Sequence, residues 1–255
     1  MKDLVYRSRS VASKQTGLSY LGGVASSSKI EKSLKYMEST YILYLAPANL
    51  SGYEVCPMRT EGCTTACLNT SGRVRMDVKN IIQDARIKKT KLFFENRDFF
   101  MRWMIDEISS FRDKAARDGY TFSVRLNGTS DLDPRQFHLN GQNILQLFPD
   151  VKFYDYTKVK KRFELMDKYS NYDLTYSFSG KNMVECLDVL MSGRGRVAMV
   201  FEDKLPSKYV GVQVIDGDLY DMRHVDKHGV IVGLKFKKIK GNPDLTNNDF
   251  VIKLK

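Results

Sequence analysis

The chain has 255 residues, enough to bury a sizeable core without disulfide help, and its 42% hydrophobic and 28% charged content is that of a soluble globular protein. No apolar run approaches the roughly eighteen residues of a membrane helix, and the start, Met1 to Ser10, lacks the apolar stretch of a secretory signal. A membrane span is therefore not expected and a cytoplasmic location is. The net charge of +11 points to phosphate-bearing partners, nucleic acid or nucleotide, without naming one, and leaves the oligomeric state open.

Residues 1–38 are rich in Ser, Gly and Lys and poor in large apolar side chains, which predicts an extended or partly ordered N-terminal arm. Residues 39–255 read as a single domain. Short apolar runs alternate there with helical stretches, the pattern of parallel strands joined by crossover helices. Strands are predicted at 41–46, 122–127, 151–156, 173–178, 196–201, 210–215 and 230–236, with an eighth at 250–254. The expected fold class is α/β, barrel-like. The clearest helix runs from Arg97 to Arg117, where Phe100, Met104, Ile108, Phe111 and Ala115 recur at intervals of three and four, and it ends at Asp118-Gly119. Further helices are predicted over 78–88 and 181–191. The second buries Cys186, which reads as a core residue rather than a metal ligand.

Three of the four cysteines, Cys56, Cys63 and Cys67, fall within twelve residues directly after the first strand. With Pro57 and Gly62 bending the loop, the three sulfurs can face one point, and thiolates select zinc or iron-sulfur clusters. Without a secretory signal the thiols belong in a reducing compartment, where clustering means metal or catalysis more often than disulfides.

Ligands of parallel α/β sheets bind at the strands' carboxyl ends, and here those ends are polar. The second strand leads to Asn127, Gly128, Thr129, Ser130 and Asp131, the third to Asp155 and Lys158, and the fourth to Ser177, Ser179 and Asn182. The sixth opens onto Asp216 and Asp218, followed by His224 and His228. Any one of these clusters reads equally as turns and helix caps, and the two histidines read as turn residues. Their agreement on one rim is what favours a site.

Two chemistries fit that rim. In one, the cysteines hold a [4Fe-4S] cluster whose fourth iron is open to a small ligand, anchored by Asn127 to Asp131 and Ser177 to Asn182. In the other, Asp131, Asp155, Asp216, Asp218 and a histidine bind divalent metals for phosphodiester hydrolysis while the cysteine loop holds structural zinc. Zinc prefers four ligands, so that site needs Cys186, a histidine or a carboxylate from elsewhere. A basic nucleic-acid-binding protein with the same zinc is a further alternative. No Walker-type phosphate loop and no Gly-x-Gly-x-x-Gly opening a helix is present.

The series Tyr44-Leu-Ala-Pro-Ala48, Cys56-Pro57, Thr60-Glu-Gly-Cys63, Ala66-Cys67-Leu68, Ala85-Arg86, Lys89-Thr90, Arg125-Leu-Asn-Gly-Thr-Ser-Asp131, Phe153-Tyr-Asp-Tyr-Thr-Lys158 and Val214-Ile-Asp-Gly-Asp218 resembles the phage "gene product eighty-eight" family. That resemblance covers the chain from about residue 16 onward and implies a bacteriophage or mobile-element origin, with the host cytoplasm as location. More remotely, a three-cysteine loop after the first barrel strand is similar to radical S-adenosylmethionine enzymes. The spacing departs: those enzymes use Cys-x3-Cys-x2-Cys, and this chain has Cys-x6-Cys-x3-Cys. That resemblance implies Cys56, Cys63 and Cys67 as cluster ligands and S-adenosylmethionine as co-substrate. Asn127, Gly128 and Thr129 would hold its amino group, and Ser177, Ser179 or Asn182 its ribose or carboxylate. Asp131, Asp155, Lys158, Asp216 and Asp218 are the candidate catalytic residues.

Overall fold

The structure, a computed structural model, describes residues 4–24, 28–67, 79–237 and 248–254. In chain order its helices are α1 (Arg9–Thr16), α2 (Ser28–Ser33), α3 (Glu61–Thr65), α4 (Ile81–Glu95), α5 (Arg97–Arg117), α6 (Ile144–Leu147), α7 (Glu164–Lys168) and α8 (Met183–Met191). The strands are β1 (Gly22–Gly23), β2 (Glu38–Leu43), β3 (Thr121–Arg125), β4 (His138–Leu139), β5 (Gln142–Asn143), β6 (Lys152–Thr157), β7 (Tyr172–Ser177), β8 (Arg196–Phe201), β9 (Lys208–Tyr209), β10 (Val212–Asp216), β11 (Ile231–Lys235) and β12 (Val251–Ile252).

A ten-stranded sheet runs in the order β1-β2-β3-β6-β7-β8-β11-β10-β9, with β12 added beside β8, and β4 and β5 form a separate hairpin. From β2 to β10 every neighbouring pair is parallel, and only the short outer strands β1 and β9 pair antiparallel. The mixed α/β class and its mostly parallel sheet thus hold. Among the described residues the ladder has two ends and does not close. Side chains join those ends instead: Lys32 of α2 donates to the Asp218 carbonyl at 3.0 Å, and the Tyr36 and Tyr220 rings meet edge to face at 5.1 Å.

The strands β2, β3, β6, β7 and β8 follow one another in sequence and in space, so successive right-handed crossovers lay their helices on the same face. That outer face carries alternate residues of each strand: Tyr41 and Leu43, Val124, Phe153, Tyr172, Leu174 and Tyr176, then Val197, Met199 and Phe201. They pack with Trp103, Met104 and Ile108 of α5 and with Cys186 and Val189 of α8 in one core. Each such side chain contributes roughly 1.5–3 kcal/mol by leaving water.

The stretch expected as a partly ordered arm is folded against this core. Ala12, Leu18 and Leu21 are buried, and β1 pairs with β2. The tie is Glu107 of α5, a buried carboxylate that accepts from the Leu21 and Gly22 amides at 2.9 and 3.0 Å and from the Tyr41 hydroxyl at 2.7 Å. Burial raises the Glu107 carboxyl above the usual range, against the pull of those three donors. Gly22 is obligatory because a Cβ there would lie 2.3 Å from the Tyr41 ring.

The inner face is polar. The register aligns Thr40 with Ser123, Ile42 with Arg125, Tyr154 with Asp173, Tyr156 with Thr175 and Thr175 with Arg196. Its amino-terminal half is covered by residues 219–228, which carry a short 3-10 turn, Arg223–Val225. There Asp221 accepts from Arg125 Nη1 through both oxygens, at 2.9 and 3.0 Å, and from the Tyr154 hydroxyl at 3.1 Å. His224 lies in that turn, as expected, and faces Glu38 at 3.2 Å with its side chain 11% exposed, so the turn is packed against the interior. Arg196, buried, is ion-paired to Asp173, and His228 approaches the same carboxylate.

Candidate functional site

The cysteine loop leaves β2 at the carboxyl end of the sheet and is pinned at both ends. Near its start the Val55 amide donates to the Ala48 carbonyl at 3.0 Å, and the Cys56 amide to Glu54 at 2.8 Å. Further along, Thr60 caps α3: its hydroxyl accepts from the Cys63 amide at 3.2 Å and donates to the Ser179 carbonyl at 2.6 Å. That second bond fastens the loop to the turn after β7.

Cys56 and Cys63 lie within charge range of the Lys158 ammonium, and Cys67 within that of Cys56. Lys158 donates to Ser177 Oγ at 3.2 Å, and its pKa is raised because the negative charges of Cys63 and Asp131 outweigh the effect of burial. Burial pushes the Cys56 thiol up to about 12, with Cys67 and Asp131 adding to the rise and the Ala48 amide and Lys158 opposing it. Cys67 also lies within charge range of Arg86. Cys186 sits inside α8, buried, and burial likewise raises its thiol to about 12, with Lys158 close enough to oppose.

Three soft sulfur donors on one loop, next to a cation, match an iron-sulfur or zinc group in kind and in position. They do not yet match in closeness: among the described residues no three His, Cys, Asp or Glu side chains stand near enough to hold an ion.

The polar turns that face the loop are engaged mainly in shaping it. Asn127 uses its side chain fully, donating to Asp155 and the Leu132 carbonyl, both at 3.1 Å, and accepting from Ser130 and the Leu132 amide, both at 2.8 Å. The Gly128 amide donates to the Leu43 carbonyl at 2.9 Å, and Thr129 to the Leu45 carbonyl at 2.5 Å. A Cβ on Gly128 would meet the Tyr44 ring at 2.7 Å, so the close approach of this turn to β2 needs glycine.

Asp155 is fully buried beneath the turn, where it accepts from the Asn127 amide at 2.8 Å. Burial raises its carboxyl to about 7 despite those bonds. Asp131 accepts from the Lys158 amide at 2.9 Å and is ion-paired to Arg162, while its own amide donates to the Val55 carbonyl at 2.7 Å. Both aspartates therefore hold the scaffold of the rim. Ser177, Ser179 and Asn182 form one turn, in which Asn182 accepts from the Ser179 amide at 2.7 Å and donates to the Ser177 carbonyl at 3.1 Å. Asp216 and Asp218 stand apart from this group at the far side of the sheet: the Asp218 amide donates to Asp216 at 2.8 Å, and Asp218 accepts from the Lys235 amide at 2.9 Å.

Three features of the rim had no role predicted from the sequence, although Arg125, Tyr44 and Arg86 stand in its motifs. Arg125 points its charge into the inner face, with its guanidinium 4.7 Å from the centre of the Tyr156 ring. Its sequence signal was a charged residue closing an apolar strand. Tyr44 is covered by the Arg86 guanidinium at 4.9 Å. Finally, the 248–252 segment crosses the rim: Gly62 comes within Cβ distance of Phe250 at 3.2 Å, Gly180 lies against the 249–250 backbone, and β12 pairs with Val200 and Phe201 of β8.

No curated protein and no solved structure matches the chain. The model of the phage family described as Gene product 88 matches residues 14–249, a span that includes the cysteine loop, the Asn127–Asp131 turn and Lys158, and the chain belongs to that family.

Proposed function

We propose that this protein is a radical S-adenosylmethionine-like enzyme on an incomplete, barrel-like sheet, acting on a nucleotide, nucleic acid or related phosphate-bearing substrate. The observation that carries the reading is the grouping of Cys56 and Cys63 about Lys158, with Cys67 in charge range of Cys56, at the carboxyl end of a run of sequential parallel strands. The three cysteines would hold a [4Fe-4S] cluster, and when bound the cluster supplies an electron to S-adenosylmethionine. Lys158 balances thiolate charge, which lowers the cost of keeping three sulfurs deprotonated at one place. Asp131 holds the Lys158 backbone, Asp155 holds Asn127, and Gly128 lets the turn lie against β2, so these residues position the rim. Ser177 and the turn to Asn182 present the hydrogen-bonding edge opposite the loop.

Anaerobic purification followed by iron, sulfide and zinc analysis tests this reading. A brown protein that bleaches in Cys63→Ala and binds S-adenosylmethionine is expected; a colourless protein holding one zinc sinks it.

One observation favours a second reading. The Cys186 thiol lies within charge range of Lys158, as Cys56 and Cys63 do, so a fourth thiol stands on the side of the loop where a structural zinc site would need one. A basic nucleic-acid-binding protein would then be the better description, and its affinity for DNA or RNA would fall steeply with salt.

A further inference from the structure

The carboxyl half of the inner face is left open where the amino half is filled. Tyr44, Tyr156 and Lys158 are only half-buried although they rise from the middle of a wide sheet, and Arg125, about nine-tenths buried, lies beneath them. Residues 219–228 reach this far through Asp221, whose two oxygens both accept from Arg125 Nη1, and through Arg223 and Asp226, which lie within charge range of Tyr156. The Arg125 Nε is buried and makes no hydrogen bond among the described residues. The Nε–Nη2 edge of a guanidinium carries two parallel N–H groups, the geometry that receives two oxygens of one oxyanion.

Lys158 adds a second cation two residues beyond Tyr156 on the same strand face, its Nζ bound to Ser177 Oγ at 3.2 Å. The Tyr156 ring, held 4.7 Å from Arg125, brings a phenol hydroxyl to the same place. Asp221 faces Arg125; Asp131 and the Cys63 thiol lie within charge range of Lys158, and Asp226 lies within that of Tyr156.

We infer that the recess floored by Arg125 and walled by Tyr44, Tyr156 and Lys158 is a binding site for a terminal phosphate monoester. Its several oxygens match the guanidinium edge, the ammonium and the phenol together. A recessed floor admits a chain-terminal phosphate and excludes a phosphodiester in mid-strand. The inference rests on the proposed function only for treating the bound molecule as substrate; the binding itself does not require the cysteines to be loaded.

The test is calorimetric titration of the purified protein with adenosine 5′-monophosphate, adenosine and inorganic phosphate. Adenosine 5′-monophosphate binds, adenosine does not, and inorganic phosphate competes. The paired variant Arg125→Gln/Asp221→Asn removes the fork while leaving no unpaired buried charge, and weakens the nucleotide by about tenfold or more. Tyr156→Phe keeps the ring and weakens it by roughly two- to fivefold. Protein stripped of metal with a chelator still binds adenosine 5′-monophosphate, which separates this site from the cluster. Failure of both phosphate probes to bind, or full affinity in the paired variant of unchanged thermal stability, overturns the inference.

Discussion

The two halves of the inner sheet face use the same kinds of side chain to opposite ends. In the amino half, Glu38 with His224 and Asp173 with Arg196 form ion pairs sealed under residues 219–228, where the Arg196 Nε and His224 Nδ1 make no hydrogen bond among the described residues but are covered by the chain. In the carboxyl half, the Arg125 Nε, the half-buried tyrosines and the thiols around Lys158 are grouped without being fully matched to one another. Buried charges that are mutually satisfied specify a fold, whereas buried charges with spare capacity are costly to keep and point to a ligand.

That contrast can be broken first where the effect is largest. Arg196→Ala leaves Asp173 buried beside only His228, and is expected to cost about 3–5 kcal/mol in urea unfolding. A loss under about 1 kcal/mol would mean that the lower half is wet and not sealed.

A smaller effect comes from Asp155. Its folded carboxyl is raised to about 7, so the stability it contributes is complete below the ordinary aspartate range and is lost as pH rises through 7. The fall should reach a few kcal/mol between about pH 4 and pH 8. Asp155→Asn should remove this component, seen as a flatter dependence of the urea midpoint on pH over that window. An unchanged slope would show that Asp155 is not the group titrating.

The smallest effect is expected at Gly128. Gly128→Ala forces a methyl against Tyr44 and the Leu43 carbonyl, at roughly 1–3 kcal/mol in stability. Because the damage falls between the cysteine loop and the recess, metal content and nucleotide affinity should drop together in the folded variant. Loss of stability with both retained would show that the turn shapes the core and not the rim.

Much of the architecture was legible in the sequence because parallel strands buried on both faces read as short apolar runs. Eight predicted strands correspond to β2, β3, β6, β7, β8, β10, β11 and β12, and the helix from Arg97 to Arg117 is α5 with the same ends. The predicted helix over 78–88 begins outside the described residues and continues, as α4, to Glu95. The anchor of the arm was not legible because it is a long-range one: Glu107 supplies the acceptors for Leu21 and Gly22, and neither a glycine pair nor a lone glutamate announces its partner.

The rim was legible in kind but not in role. Asn, Asp and Gly after strands marked the right places, yet hydrogen-bond direction decides whether they receive a ligand or brace a loop, and Asn127 and Asp155 brace one. Arg125 was hidden because strand alternation gives the face a side chain points to, while its spare donors depend on Asp221, nearly a hundred residues away, engaging one nitrogen alone.

Strand β12 gives the molecule an order of assembly. It lies beside Val200 and Phe201 of β8, past the point where β7, paired only as far as Ala198, has parted from that strand. Until residues 248–252 emerge from the ribosome, the seam between β7 and β8 stays unzipped above Ser177, and Gly62 and Gly180 lack the backbone that covers them. A nascent chain would therefore display its thiols before the last strand is laid across the rim.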